Sequence, residues 1–161
     1  MREIKYRGWN SEKKAWYYGY FVFSFNMTYI FDGDYCQIGD DDPTQYFHEV
    51  VPESVTQLTG LKDKNGVEIY EGDILGVPYI DPMGKREDTW TYTAKVYYDF
   101  GGFRIEYLRG KEYFPVSQPI TYWLDSSEGE YIPNFGNPVV LENTSMLEVI
   151  GNVYQNKDLL K

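Results

Sequence analysis

The run Thr59-Gly60-Leu61-Lys62-Asp63-Lys64-Asn65-Gly66-Val67-Glu68-Ile69-Tyr70-Glu71-Gly72-Asp73-Ile74 constrains the fold of this chain more than any other segment. Asp63-Lys64-Asn65-Gly66 has the residue order of a type I turn, aspartate first and glycine last, with Gly66 at positive φ as the bulge of a hairpin. A two-residue Asn-Gly turn competes, but it sets Asp63 opposite Glu68, and like charges facing across strands are unfavourable. The bulged hairpin is the expectation. Glu71-Gly72-Asp73 supplies a second reversal and feeds Ile74-Leu75-Gly76-Val77, which Pro78 should end because proline cannot donate to a ladder. Leu61, Ile69 and Ile74 are the positions expected to be buried, and Gly66 and Gly72 those required by backbone geometry.

Elsewhere the dominant apolar period is two, the period of strands. Residues 1–25 read as an N-terminal hairpin. Ile4 to Arg7 alternates, Asn10 to Lys14 is a polar turn, and Ala15 to Phe25 is an aromatic strand, with Trp16, Tyr18 and Tyr20 on one side and Tyr17, Phe21, Phe23 and Phe25 on the other. Apolar residues on both sides imply a strand covered on both faces, or an edge that meets a partner. Residues 26–55 read as a variable acidic loop region, with one helical turn over Pro43 to Phe47.

Residues 80–89 read as an exposed loop. Trp90 to Phe100 and Phe103 to Tyr107 form a hairpin about Gly101-Gly102, with Ala94, Val96, Tyr98, Phe103, Ile105 and Tyr107 as its apolar face. Residues 109–138 are an irregular insertion, with short strands expected around Ile120 to Leu124 and Pro138 to Leu141. Leu147 to Tyr154 is a final strand, and Asn156 is placed to cap a helical turn at Asp158-Leu159-Leu160. No apolar residues recur at helical spacing across three turns. A mainly β fold with very little helix follows, as a single domain over 1–161 whose barrel strands lie in 56–108 and 139–154.

Composition narrows the function classes. The chain is 42% hydrophobic and 19% aromatic, which separates it from disordered acidic chains despite its charge. Its net charge of −10 disfavours nucleic acid as a partner, since phosphate backbones are repelled at long range. One cysteine, Cys36, excludes an internal disulfide and fits a reducing compartment. No apolar run approaches the roughly 20 residues of a membrane helix, so no membrane contact is expected and the cytoplasm is the default.

Candidate chemistry is sparse. His48 beside Glu49, with Asp40, Asp41 and Asp42 upstream, has the residue types of a general base or a metal site, but a solvated loop histidine is the plainer reading. The acidic run from Asp32 fails the EF-hand pattern, with Gln37 where glycine belongs and Pro43 where glutamate belongs. Nucleophile elbows and phosphate loops are absent. Glu71 and Asp73 resemble the paired acids of glycosidases only in spacing, and turn formation accounts for them. No catalytic residue, cofactor or metal is expected.

Three blocks, in this order and spacing, resemble the YopX family of phage and prophage proteins. They are Met1-Arg2-Glu3-Ile4-Lys5-Tyr6-Arg7-Gly8-Trp9-Asn10, the Thr59 to Ile74 run, and Leu147-Glu148-Val149-Ile150-Gly151-Asn152-Val153-Tyr154-Gln155-Asn156 followed by Asp158-Leu159-Leu160. Gly8 stands where alanine is commoner in the family, and Lys157 where proline is usual. The resemblance implies an SH3-like barrel or roll, possible self-association, and no catalytic residues, cofactor or substrate. Within the motif Thr59, Gly60, Leu61, Asp63, Asn65, Gly66, Ile69, Tyr70, Gly72, Asp73, Ile74, Gly151 and Asn152 are read as structural.

SH3-like barrels bind peptides or nucleic acid through aromatic grooves, and Trp16, Tyr17, Tyr18, Trp90, Tyr92, Tyr97 and Tyr98 are the candidates for such a surface here. The leading expectation is a non-enzymatic protein acting through protein–protein contact as a homo-oligomer, or with a host or phage protein. The alternatives are a nucleic-acid-related module, either a barrel with a basic and aromatic groove or an acidic DNA mimic, and an enzyme or metal protein centred on His48.

Overall fold

The structure, a computed structural model, describes residues 4–33, 43–80, 86–99, 101–110, 139–140 and 144–160. The protein is mainly β, built from antiparallel sheets, and the helical elements among the described residues are short 3-10 turns. The chain divides into two compact units, residues 1–60 and 61–161.

The first unit carries β1 (Tyr6–Asn10), β2 (Ala15–Ser24), β3 (Met27–Phe31), β4 (Phe47–Glu49) and most of β5 (Thr56–Lys62), in the order β4-β3-β2-β1-β5. The β1–β2 reversal is held by Asn10, whose Oδ1 accepts from the Lys13 amide at 2.7 Å. At the β2–β3 reversal Ser24 pairs with Met27, so Phe25 and Asn26 alone make the turn, at φ 50° and 64°. Two central residues with positive φ define the type I′ turn, whose twist matches that of the flanking strands. A Cβ on Gly19 would lie 2.0 Å from the Phe31 carbonyl oxygen, so only glycine lets the end of β3 come down on β2. Ile30, Val50 and Leu58 are the buried apolar residues, and Ser54 links the strands by accepting from the Trp9 amide at 2.8 Å.

Two expectations for this unit are corrected. Residues 26–55 are not a loop region, because Met27 to Phe31 and Phe47 to Glu49 pair as β3 and β4 with Ile30 opposite His48. Asn26 is the turn residue, and the apolar run after it is the returning strand. β2 is not an edge either, since it lies between β1 and β3. The helical turn forms at Pro43–Tyr46, while residues 34–42 of the expected acidic loop lie outside the described residues.

The second unit carries β6 (Glu68–Tyr70), β7 (Asp73–Ile80), β8 (Arg86–Asp99), β9 (Gly102–Gly110), β10 (Val139–Val140) and β11 (Glu148–Asn152). The sheet order is β10-β9-β8-β7-β11, so β7, β8 and β9 form a meander and β11 returns beside β7. The bulged hairpin before β6 forms: Asp63 N donates to Val67 O at 2.8 Å, Gly66 N donates to Asp63 O at 3.0 Å, and Gly66 has φ 82°. Nothing lies within 4 Å of a Cβ built on Gly66, so its backbone conformation alone demands glycine. The core is Ile69, Leu75, Ala94, Val96, Phe103, Ile105 and Leu147, with Leu61 and Val149 packed against it.

Pro78 does not end β7. The strand continues to Ile80, and the register with β8 shifts between Val77 and Pro78, a bulge that accommodates a residue with no N–H to give. Arg86 to Thr89 are strand instead of loop, because β8 is longer than its apolar alternation. Tyr98 lies half-exposed at the strand end against Phe103, whereas Ala94 and Val96 are buried. Asn156 heads the terminal 3-10 turn, Lys157–Leu160, and its carbonyl accepts from the Leu159 amide at 3.0 Å, but its side chain does not cap that turn: Oδ1 accepts from the Asn152 amide at 3.1 Å, closing a loop back on β11. Val139 and Val140 pair as β10, while Ile120 to Leu124 lie outside the described residues. Among the described residues the strands close no barrel.

Candidate functional site

The motif residues Thr59 to Ile74 hold the fold together. Asp63, 6% exposed, accepts at Oδ1 from the amides of Asn65 (2.7 Å) and Val67 (2.9 Å), and at Oδ2 from the amide of Val149 (3.0 Å). Burial pushes its pKa up, but the three backbone N–H groups and Lys64 outweigh it and hold the carboxyl below the usual carboxylate range. The same hairpin is tied to the chain before and within β11 by Lys64 N donating to Leu147 O at 2.9 Å, by the Lys64–Glu148 ion pair at 2.5 Å, and by the Thr144 hydroxyl donating to Lys62 O.

Asp73 is equally inward. It is fully buried and accepts from the Tyr70 amide at 2.8 Å, so it and half-buried Glu71 do not face one another across a cleft. Tyr70 is buried too, its hydroxyl donating to Glu68 at 2.9 Å. Ile69 and Ile74 are wholly buried, and Thr59 nearly so. Gly60 and Gly72 have φ 84° and 77°. Beyond the hairpin, Asn152 Oδ1 accepts from the amides of Tyr154 and Gln155, closing the turn that begins next to Gly151.

His48 lies on a strand, β4, and not in a loop. Its Nε2 is 2.8 Å from Asp32 Oδ2, and its ring stacks on Tyr17 with centroids 3.7 Å apart and planes 16° from parallel. Lys13 Nζ stands 5.7 Å from the centroid of the Tyr17 ring. The arrangement fixes the imidazole and joins β4, the end of β3 and β2 through one side chain. No group of three or more His, Cys, Asp or Glu side chains converges among the described residues, and Asp40, Asp41 and Asp42 lie outside them.

The aromatic candidates fall into two sets. Trp16, Tyr17 and Tyr18 lie on β2 of the first unit, and Trp90, Tyr92, Tyr97 and Tyr98 on β8 of the second. Trp16 is engaged edge-on with Trp9 at 5.5 Å and lies under the Arg7 guanidinium at 4.8 Å, while Tyr17 is covered by His48. The side chains of Trp90 and Tyr92 lie outside the described residues. Burial, with Glu106 and Asp99 nearby, raises the Tyr97 hydroxyl above its ordinary value against the opposing pull of Arg104.

The exposed apolar surface of the first unit runs from the candidate Tyr18 further along the same hairpin, mostly at residues that the candidate set did not contain. Tyr20 is 58% exposed, Phe23 63% and Phe25 94%, with Tyr18, Phe21, Met27 and Phe47 also open. Cross-strand pairing assigns the faces, because directly opposed residues project to the same side. Phe21 and Phe23 oppose Ile30 and Thr28 on one face; Tyr20 and Phe47 both oppose Phe31 on the other. Phe25 projects from the turn itself. A bulky residue at positive φ is a conformational outlier, tolerated here at a position where the strand twist calls for asparagine or glycine. A signal for this surface was present in the sequence: no charged residue occurs from Ala15 to Phe31, in a chain with 40 charged side chains.

The sequence model of the family described as YopX protein matches residues 5–161. Among solved structures, the crystal structure of protein EF1440 from Enterococcus faecalis is similar at 22% identity, with all of both chains covered and a TM-score of 0.46. No curated protein matches the chain.

Proposed function

The chain belongs to the YopX family, and from that premise we propose that it works by contact with protein and not by catalysis, its working surface being the uncharged aromatic hairpin of β2 and β3. The observation that carries this reading is Phe25, which is 94% exposed at φ 50°. Folding gains nothing from an aromatic ring held in water at a strained turn. Residues kept in such conformations cluster at ligand clamps and contact sites, where the strain is offset by what the residue binds.

The neighbours of Phe25 support the same reading. Tyr20 and Phe23 flank it on the two faces of the hairpin, and aromatic side chains are the usual anchors of protein interfaces. Nucleic acid fits this surface poorly, because the stretch has no basic residue and adjacent Arg7 is buried, bonded to Thr56 and lying on Trp16. In this account the second unit, with its β7-β8-β9 meander and returning β11, is an SH3-like roll. The protein acts in the bacterial cytoplasm, in a phage or prophage context.

Photo-crosslinking in the host tests the proposal. With benzoyl-phenylalanine in place of Phe25, irradiation should give a discrete protein adduct, and the same label at exposed Glu12 should not. Equal yields at both positions, or no adduct at position 25, would contradict the reading.

A further inference from the structure

We infer that Asn65 is a modification site, the point at which this chain forms a succinimide and loses ammonia, and that the Asp63 turn keeps it silent while the hairpin is closed. The site belongs to the second unit, and its chemistry is independent of the contact surface proposed above.

Asn65 is the one asparagine of the chain followed by glycine. With no side chain on the next residue, its backbone nitrogen meets little steric hindrance in reaching the asparagine side chain. The Gly66 nitrogen attacks Cγ of Asn65 and a C–N bond forms. The Gly66 N–H proton passes to solvent hydroxide, and the side-chain nitrogen takes a proton from water and leaves as ammonia. Water then opens the five-membered ring at one of its two carbonyls, giving aspartate or isoaspartate. The sum is asparagine plus water to acid plus ammonia, and no other reactant is needed.

Access to the site is open. Asn65 and Gly66 are exposed, and nothing lies within 4 Å of a Cβ built on Gly66. Protection comes from hydrogen bonds instead. The attacking nitrogen is the one that donates to Asp63 O at 3.0 Å, so its proton is held and it is turned back across the turn. Asp63 Oδ1 accepts from the Asn65 amide at 2.7 Å and from the Val67 amide at 2.9 Å, which pins the backbone on both sides of the reacting bond. The third residue of a type I turn has ψ of about 0°, which directs the next nitrogen away from its Cγ. Ring closure needs that ψ swung far from zero, so these hydrogen bonds must open first. The folded chain therefore reacts at the rate of the unfolded chain multiplied by the locally opened fraction.

The reaction makes a transient opening permanent. Isoaspartate carries the main chain through the side-chain carbon and lengthens the turn, so the Asn65 and Val67 amides no longer both reach Asp63 Oδ1. Asp63 Oδ2 and Lys64 N, which hold the Val149 amide and the Leu147 carbonyl, are displaced with it. Each release of the hairpin thus risks unlocking β11 for good.

Peptide mapping with isoaspartate detection tests this on the full chain, incubated in mildly alkaline buffer both folded and unfolded in urea. The folded chain should form the acid at position 65 at least about tenfold more slowly. Hydrogen exchange of the Gly66 amide measures the opened fraction separately, and its protection factor should match the slowing of the modification. Asp63→Ala removes the side-chain acceptor of three amides, and should react about tenfold or more faster than wild type while circular dichroism shows it folded. Equal rates for folded and unfolded wild type would overturn the inference. So would a slowed reaction at an unprotected Gly66 amide, or a folded Asp63→Ala variant that keeps the wild-type rate. If that variant does not fold, the two wild-type measurements decide.

Discussion

Asp63 Oδ2 accepts a hydrogen bond from the Val149 amide at 3.0 Å, across 86 positions of sequence. One buried carboxylate thus serves its own turn through Oδ1 and clamps β11 through Oδ2. The most recognisable run in the chain is accordingly a joint between elements, with two of its carboxylates, Asp63 and Asp73, turned inward.

Asp63→Asn should destabilise the protein by roughly 1–3 kcal/mol, because the amide group turns a donor toward a backbone N–H that then lacks its acceptor. The folded pKa of Asp63 is depressed, so its contribution is present above the unfolded value of about 4 and is lost as pH falls through the folded value. Urea unfolding at neutral pH and again well below pH ~4 should therefore show the gap between wild type and variant narrowing in acid. A gap independent of pH would count against the clamp.

Gly66→Ala should cost about 1 kcal/mol and Gly66→Asn less, since the only penalty at φ 82° with empty space around the Cβ is conformational. Equal losses for the two substitutions in thermal unfolding would mean that the turn is not in the left-handed conformation.

The Asp32–His48 pair should show a coupling of about 0.5–1 kcal/mol in a double-mutant cycle, because the Asp32 side chain is 39% exposed and the bond is partly screened. The measurement is the unfolding free energy of His48→Ala, Asp32→Ala and the double variant. Strict additivity would show that His48 is held by its stack on Tyr17 alone.

The legibility of this chain followed the range of the interactions. The Asp63 to Gly66 turn is chemistry within a few residues, and the structure has it in the form that the sequence implies. The β8–β9 hairpin was legible for the same reason, although Gly102, expected in the turn, is the first residue of β9 and pairs with Asp99. β3 was missed because its pairing with β2 depends on a turn made by Phe25, a residue that turn rules do not nominate. Pro78 misled because a bulge, which only the β7–β8 register reveals, takes up a residue that cannot donate. Tertiary partners such as Val149 for Asp63 and Asp32 for His48 left no local trace. The candidate aromatics were chosen for residue type, and two of them, Trp16 and Tyr17, are engaged inside the first unit. The absence of charge from Ala15 to Phe31 is the better guide, because desolvating charge is what a contact surface avoids.

The central claim is that Phe25 is held in an unfavourable conformation for the sake of a contact. Phe25→Asn tests it in one comparison, with stability measured by urea unfolding and contact by photo-crosslinking in the host from benzoyl-phenylalanine in place of Phe23. Asparagine favours positive φ, so the account predicts an unfolding free energy about 1 kcal/mol higher than wild type together with a lower yield of adduct. A variant that is less stable and crosslinks like the wild type would contradict it, and would make Phe25 a structural residue.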